Sequence, residues 1–233
     1  VHVSPVTFRL CTDSACTSVY PNTTVTFTYT FTVKLAEWTT FQRNAAHTGY
    51  VHATVDPAKF RQSWTWTSPD VGALSDVVAV NGSVYVMSLP AHVRSLSEAT
   101  GAVNWTTSLS TPVQMDTLGI PAYNNGVVYI ASKYEVTGST DTNEAAIRAL
   151  DAATGAYKSD SPFFMQRADM NSPTFAGGDM FYTAGYYANT LYKYQPPVTA
   201  PAWSTTLTPS NAGFGQTPAV DASRVFVSTQ YGL

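Results

Sequence analysis

Val77-Val-Ala-Val-Asn-Gly-Ser-Val-Tyr-Val86 reads as an apolar strand, a tight polar turn and a second strand with an aromatic near its middle. The pattern returns as Pro121-Ala-Tyr-Asn-Asn-Gly-Val-Val-Tyr-Ile130, Pro173-Thr-Phe-Ala-Gly-Gly-Asp-Met-Phe-Tyr-Thr183 and Pro218-Ala-Val-Asp-Ala-Ser-Arg-Val-Phe-Val227. The turn residues Gly82, Gly126, Gly178 and Ser223 are 44, 52 and 45 residues apart. A hairpin recurring at that period predicts a radial array of β-blades, because no single hairpin can hide its own apolar face. After each hairpin come a third strand and a further turn. Val93-Arg-Ser-Leu-Ser-Glu-Ala-Thr-Gly101 leads to Trp105, and Ile147-Arg-Ala-Leu-Asp-Ala-Ala-Thr-Gly155 leads to Tyr157. In these turns Glu98 or Asp151 is expected to cap with its carboxylate, and the Gly to take a positive φ. The third copy, Leu191-Tyr-Lys-Tyr-Gln-Pro-Pro197 to Trp203, carries a Pro-rich turn instead.

Composition agrees with an all-β chain. Charged residues make up 12% of the 233, about half the usual share. The polar load falls on 33 Thr and 21 Ser, and Thr is β-branched and suits half-exposed strands. Net charge is -3 with scattered Lys and Arg, which argues against a nucleic-acid partner, since tracking phosphates needs clustered cations. No run approaches the 18 or so apolar residues of a membrane-spanning helix. The chain opens on Val and directly on strand-like sequence, and is read as a mature or trimmed piece.

Residues 1–34 form a segment of their own. Val25-Thr-Phe-Thr-Tyr-Thr-Phe-Thr-Val33 alternates strictly, apolar on odd positions and Thr on even ones, which predicts a half-buried strand. Val6-Thr-Phe-Arg-Leu-Cys11 alternates as well, and Tyr20-Pro-Asn-Thr23 turns between the two. Cys11 and Cys16 are the only cysteines. A small disulfide loop is the first reading of them, ahead of free thiols or half a zinc site, which would need two more ligands. A disulfide would imply an oxidising, secreted or periplasmic compartment. The Cys-x-Asp-x-x-Cys stretch before a Thr-rich strand resembles the C-terminal strands of bacterial immunoglobulin-like repeats, whose remaining strands would lie upstream.

Residues 35–67 lead in to the repeats through Trp38-Thr-Thr-Phe-Gln-Arg-Asn-Ala-Ala-His-Thr-Gly49 and Phe60-Arg-Gln-Ser-Trp-Thr-Trp66. Trp66 is aligned with Trp105 and Trp203 of the later repeats. Strand, Gly turn, strand, then Leu-Asp-x-x-Thr-Gly-x-x-x-Trp resembles the repeat of the pyrroloquinoline-quinone (PQQ)-like β-propellers. That family includes quinoprotein dehydrogenases and the propeller lipoprotein of the outer-membrane barrel assembly machinery. Trp38-x-x-Phe-x-x-Asn-x-x-x-Thr-Gly49 also looks like the first blade of such proteins. The resemblance implies a partial, open propeller over residues 35–233, about half a ring. Its four-stranded blades fall at about 76–110, 117–165 and 172–208, with a partial one at 217–233 and a fourth-strand remnant at 60–67. Closure removes strand edges, so the open edges at 60–67 and 217–233 predict self-association.

The loops leading into each blade line the mouth of a propeller. They bring Asp76, Asp116, Asp169, Asn171 and Gln216 to one face as a candidate polar-ligand site. Calcium there would need six or more oxygens, and Asp and Asn also commonly cap their own turns. Quinone enzymes of the family hold PQQ at the axis with a vicinal disulfide and a calcium-bound Asp. This sequence has no adjacent Cys pair, so PQQ is not expected. No Gly-x-Ser-x-Gly elbow occurs, and His2, His47, His52 and His92 show no ligand spacing. The expected function is therefore a non-catalytic binding or scaffold module with a protein or surface glycan as partner. The alternative is a calcium-assisted enzyme acting on a polysaccharide or alcohol.

Overall fold

The computed structural model describes residues 2–31, 36–89, 92–109, 119–133, 144–164, 171–184, 190–207 and 217–227. They form sixteen strands and one 3-10 turn (Pro57–Lys59), in two compact units, Val1–Ala36 and Glu37–Leu233.

The first unit is a hairpin. β1 (His2–Phe8) pairs antiparallel with β2 (Val25–Phe31), setting Val6 opposite Phe27 and Phe8 opposite Val25. The period of two puts these apolar side chains on one face and the Thr7–Thr26 hydroxyl pair, 3.0 Å apart, on the other. Cys11 and Cys16 are joined as a disulfide. Inside that loop the Asp13 carboxylate accepts from the Thr17 N–H and hydroxyl and from the Ser18 N–H at 2.9–3.1 Å, which holds its pKa below the ordinary value.

The second unit contains three separate four-stranded antiparallel sheets and one two-stranded sheet. The first sheet is β3 (Val78–Val80), β4 (Ser83–Ser88), β5 (His92–Ser97) and β6 (Val103–Ser108). The second is β7 (Ala122–Asn124), β8 (Val127–Lys133), β9 (Glu144–Asp151) and β10 (Tyr157–Phe164). The third is β11 (Thr174–Ala176), β12 (Asp179–Ala184), β13 (Thr190–Tyr194) and β14 (Pro201–Thr206). β15 (Ala219–Val220) and β16 (Val225–Phe226) make the fourth. The opening hairpins turn as the strand twist requires, with both central residues left-handed: Asn81 and Gly82 at φ 52° and 77°, Asn125 and Gly126 at 47° and 79°. The fourth hairpin uses a carboxylate instead: Asp221 Oδ1 accepts from the N–H groups of Ser223 and Arg224 at 2.9 and 2.8 Å. Each complete blade shifts register by one residue between its third and fourth strands, at Ser95/Leu96, Tyr157/Ser159 and Lys193/Tyr194.

The sheets stack as blades. First strands are neighbours in sequence order, β3 beside β7, β7 beside β11 and β11 beside β15. The core lies between sheets. Val78, Tyr85, Met87 and Trp105 of the first blade pack on Val128, Ile130 and Leu150 of the second. Tyr129, Ile147 and Phe163 of the second pack on Met180, Tyr182 and Tyr194 of the third. The expected all-β, partial propeller of four-stranded blades is the fold observed.

One contact repeats between blades. Trp105 Nε1, on β6, donates to the carbonyl of Ala152 at 3.0 Å. Its ring lies so close over Gly155 that an added Cβ would meet it at 2.6 Å. Trp64 Nε1 donates to Glu98 O at 2.8 Å, and a Cβ on Gly101 would meet the Trp64 ring at 2.6 Å. So Trp64, not Trp66, is the counterpart of Trp105; Trp66 instead lies under the Arg94 guanidinium, 5.8 Å from its centroid. The turn caps differ in the same way. Asp151 caps as expected, but in the first blade Ser97 Oγ accepts from Thr100 N–H at 3.3 Å while Glu98 contributes its carbonyl to Trp64. Among the described residues, 60–67 pair with no strand. Their side chains hold them against the first blade, and Trp64 occupies the place of an outer-strand tryptophan.

Candidate functional site

Each blade's first strand is paired on one side only. Its other edge, toward the axis, presents backbone N–H and C=O groups that need partners. Residues 38–47 supply them. Trp38 and Ala79 exchange two backbone bonds of 2.9 Å. Tyr123 N–H donates to Thr39 O at 2.7 Å, and Val220 N–H to Ala45 O at 2.7 Å. Ala79, Tyr123 and Val220 are each the second residue of their first strand, so one position recurs in three blades. On the third blade side chains take over. The buried Thr40 hydroxyl donates to Pro173 O at 2.9 Å and lies 3.1 Å from Ser172 Oγ, while His47 Nε2 is 3.3 Å from Thr174 Oγ1. One ten-residue stretch therefore touches all four blades along the axis.

The stretch folds back on itself to do this. Gln42, Arg43 and His47 have left-handed φ of 49°, 83° and 51°. Non-glycine residues adopt this only when surrounding bonds enforce it. Here Asn44 clasps Thr48 through two side-chain bonds of 3.0 and 3.2 Å, and Arg43 Nη1 donates to Tyr50 O and to Thr48 Oγ1. The His47 ring stands edge-on to Phe41 at 5.5 Å, and burial lowers its pKa.

A second polar centre joins the lead-in segment to the first blade. Asp70 Oδ2 accepts from Arg94 Nη1 at 2.7 Å and from Ser88 Oγ, with His92 Nδ1 at 3.2 Å. The Arg94 side chain is 5% exposed and that of Asp70 is 11% exposed. The Arg94 bond, then Ser88, hold the Asp70 carboxyl down to about 2, from 3.8. Because its folded pKa lies below its unfolded one, its stabilisation is complete above about pH 4 and is lost as pH falls toward 2. Acid unfolding of wild type should show this limb, and Asp70→Asn should lower stability at pH 7 while flattening the curve between about pH 4 and 2.

Of the residues expected on the mouth, Asp116, Asp169 and Gln216 lie outside the described residues. Asp76 is exposed, just before β3. Asn171 is 4% exposed, and its Nδ2 donates to Thr183 O at 3.0 Å and lies 3.3 Å from Thr183 Oγ1. It fastens its own loop to β12. Ser75 does the same in the first blade, accepting from Met87 N–H at 2.9 Å. Among the described residues no three His, Cys, Asp or Glu side chains converge to hold a metal. The axial segment was not recognisable as a site in the sequence, because its bonds come mostly from backbone atoms.

A cleft of about 400 Å³ lies between the first two blades, lined by Asn81, Ser95, Asn104, Tyr85, Tyr123 and Asp151 among others. Its aromatic wall is the stacked Tyr85–Tyr123 pair, 6.3 Å between centroids, and Asn81 Nδ2 lies 3.0 Å from Tyr123 Oη.

Comparison with known proteins fits this geometry. The repeat family described as outer membrane protein assembly factor BamB matches residues 47–158. No curated protein matches the chain. Among solved structures, BamB from Moraxella catarrhalis is 15% identical, with 64% of this chain and 40% of that chain covered and a TM-score of 0.48. The computationally designed Ika4 protein is 10% identical, covering 75% of this chain and 96% of that one, at 0.55. Quinohemoprotein alcohol dehydrogenase from Comamonas testosteroni is 16% identical, covering 82% and 36%, at 0.52. The chain thus spans well under half the length of the two natural proteins, and at these identities the likeness concerns fold. The family match assigns residues 47–158 to this repeat family, and the fanned sheets with Trp–Gly contacts between them give the chain the fold of a PQQ-type β-propeller.

Proposed function

We propose that this chain is a non-catalytic binding and scaffold module, the propeller portion of an exported bacterial protein, with a protein as its first partner class. The observation that carries this reading is the filled axis. Quinoproteins of this fold place their cofactor there, whereas here residues 38–47 are bonded to all four blades in that position. A stretch bonded in this way along the inner strand edges argues against a quinone held between them. The BamB-type description of the repeat family supports protein interaction. The Cys11–Cys16 disulfide supports an oxidising compartment, and the hairpin of residues 1–34 is read as the end of an immunoglobulin-like domain. The second reading, a surface glycan, is favoured by the Tyr/Asn/Ser cleft between the first two blades, whose carboxylate, Asp151, is paired with Lys158 at 3.2 Å. The rival is the calcium-assisted enzyme. A melting experiment separates them: calcium at millimolar concentration, alone or with PQQ, should leave the melting temperature unchanged. A rise of several degrees would mean a bound cofactor and would favour the enzyme.

A further inference from the structure

The first two blades use the same wall differently. In the second blade, Val127 and Ala149 stand beside Tyr129 on the face toward the third blade, and both are packed into that interface. Their counterparts in the first blade are Ser83 and Ser95, beside Tyr85 on the face toward the second blade. A third difference falls on the extra residue at the register shift, where a bulge re-aims a side chain. That residue is Lys158 in the second blade and Asn104 in the first. Asn104 Nδ2 donates to Ser95 Oγ at 3.1 Å, and Ser95 is 1% exposed. Hydroxyls therefore stand where the next interface is filled by aliphatic side chains, and the cleft of about 400 Å³ opens there. Packing alone does not call for them, since a polar group at a buried position costs stability unless it is bonded.

The groups left over in the cleft are uncharged. Asn81 Nδ2 donates to Tyr123 Oη at 3.0 Å. Among the described residues, the Tyr123 O–H and the amide oxygens of Asn81 and Asn104 have no partner. The one carboxylate is engaged. Asp151 Oδ1 accepts from the N–H groups of Ala153 and Thr154 at 3.1 and 3.0 Å, and Oδ2 lies 3.2 Å from Lys158 Nζ. Neutral donors and acceptors beside a tyrosine pair match a polyhydroxylated ligand. Each sugar hydroxyl both donates and accepts, and the C–H face of the ring packs on an aromatic. The volume lies near the lower end of small-ligand sites, enough for roughly one or two sugar rings.

We propose that the cleft between the first two blades binds a neutral oligosaccharide. Asn81, Asn104 and Tyr123 supply its hydrogen bonds, and Ser83 and Ser95 keep the cleft open. The inference rests on the glycan reading given above.

The test titrates the full chain with maltotriose, xylotriose, mannotriose and triacetylchitotriose while the side-chain amides of Asn81 and Asn104 are followed by NMR. Saturable binding of at least one sugar, with shifts of both amides, is expected. Asn104→Ala, at an exposed position, should weaken it about tenfold, the effect of one good hydrogen bond. Ser83→Val combined with Ser95→Ala copies the second blade; it should abolish binding while melting no lower than wild type. Asn104→Ala decides the matter if the double variant does not fold. Unchanged binding by these variants overturns the inference. Sugar binding that moves neither amide also overturns it, but leaves the glycan reading standing. Absence of saturable binding by all of the sugars removes both. The calcium melting experiment reads the axis and not this cleft, so the non-catalytic reading and the sugar site fall separately.

Discussion

Gly155→Ala is expected to destabilise the propeller by about 2–5 kcal/mol. Two costs add. Gly155 has φ +74°, where an L side chain costs about 1–2 kcal/mol. A Cβ there would lie 2.5 Å from Thr107 Oγ1 and 2.6 Å from the Trp105 ring, and overpacking of that kind costs about 1–3 kcal/mol. Neither neighbour can retreat freely, because Trp105 is fixed to Ala152 O and Thr107 to Gly155 O at 2.6 Å. Gly82→Ala is the control. Its φ is +77°, but nothing lies within 4 Å of the new Cβ, so only the backbone cost of about 1–2 kcal/mol applies. Denaturant unfolding of the two variants measures the difference. Equal losses would show that the tryptophan does not press on the turn.

The second large effect is Trp105→Ala, expected at about 3–5 kcal/mol from the cavity and the lost contacts. The indole is 9% exposed, closes the interface of the first two blades and packs on Tyr85 at 5.9 Å. Trp203→Ala tests whether position in the repeat or packing sets the cost. Trp203 stands at the same repeat position but is 41% exposed and covers no turn, so the loss should be about 1 kcal/mol. Similar losses at both positions would contradict the inter-blade origin of Trp105's contribution.

These contrasts explain what the sequence could disclose. Hairpins around Gly82, Gly126 and Gly178 were legible because left-handed turn residues and alternating apolar strands are written in side-chain types. The Thr-Gly turns were legible for the same reason. Trp64 was misread as Trp66 because both lie in an extended stretch with the same parity, and only the contact with Gly101 and Glu98 tells them apart. The cap at Glu98 was misread because Ser97 aligns with Asp151 one residue earlier. Asn171 was placed on the mouth by its loop leading into the third blade, and nothing in the sequence signalled that its amide donates to Thr183 O. The axial role of residues 38–47 left no pattern. Its main partners are the backbone groups of Ala79, Tyr123 and Val220, which any residue possesses except, for the donors, proline.

The most direct test of the account is amide hydrogen exchange at Ala79, Tyr123 and Val220 in the native protein. All three face away from their own hairpin partners, and the axial segment accepts from each. They should be protected well beyond unstructured rates and lose that protection together when residues 38–47 are deleted. Exchange at the unprotected rate at any of the three in the intact chain would show bare inner edges, and a propeller strung on residues 38–47 would be wrong.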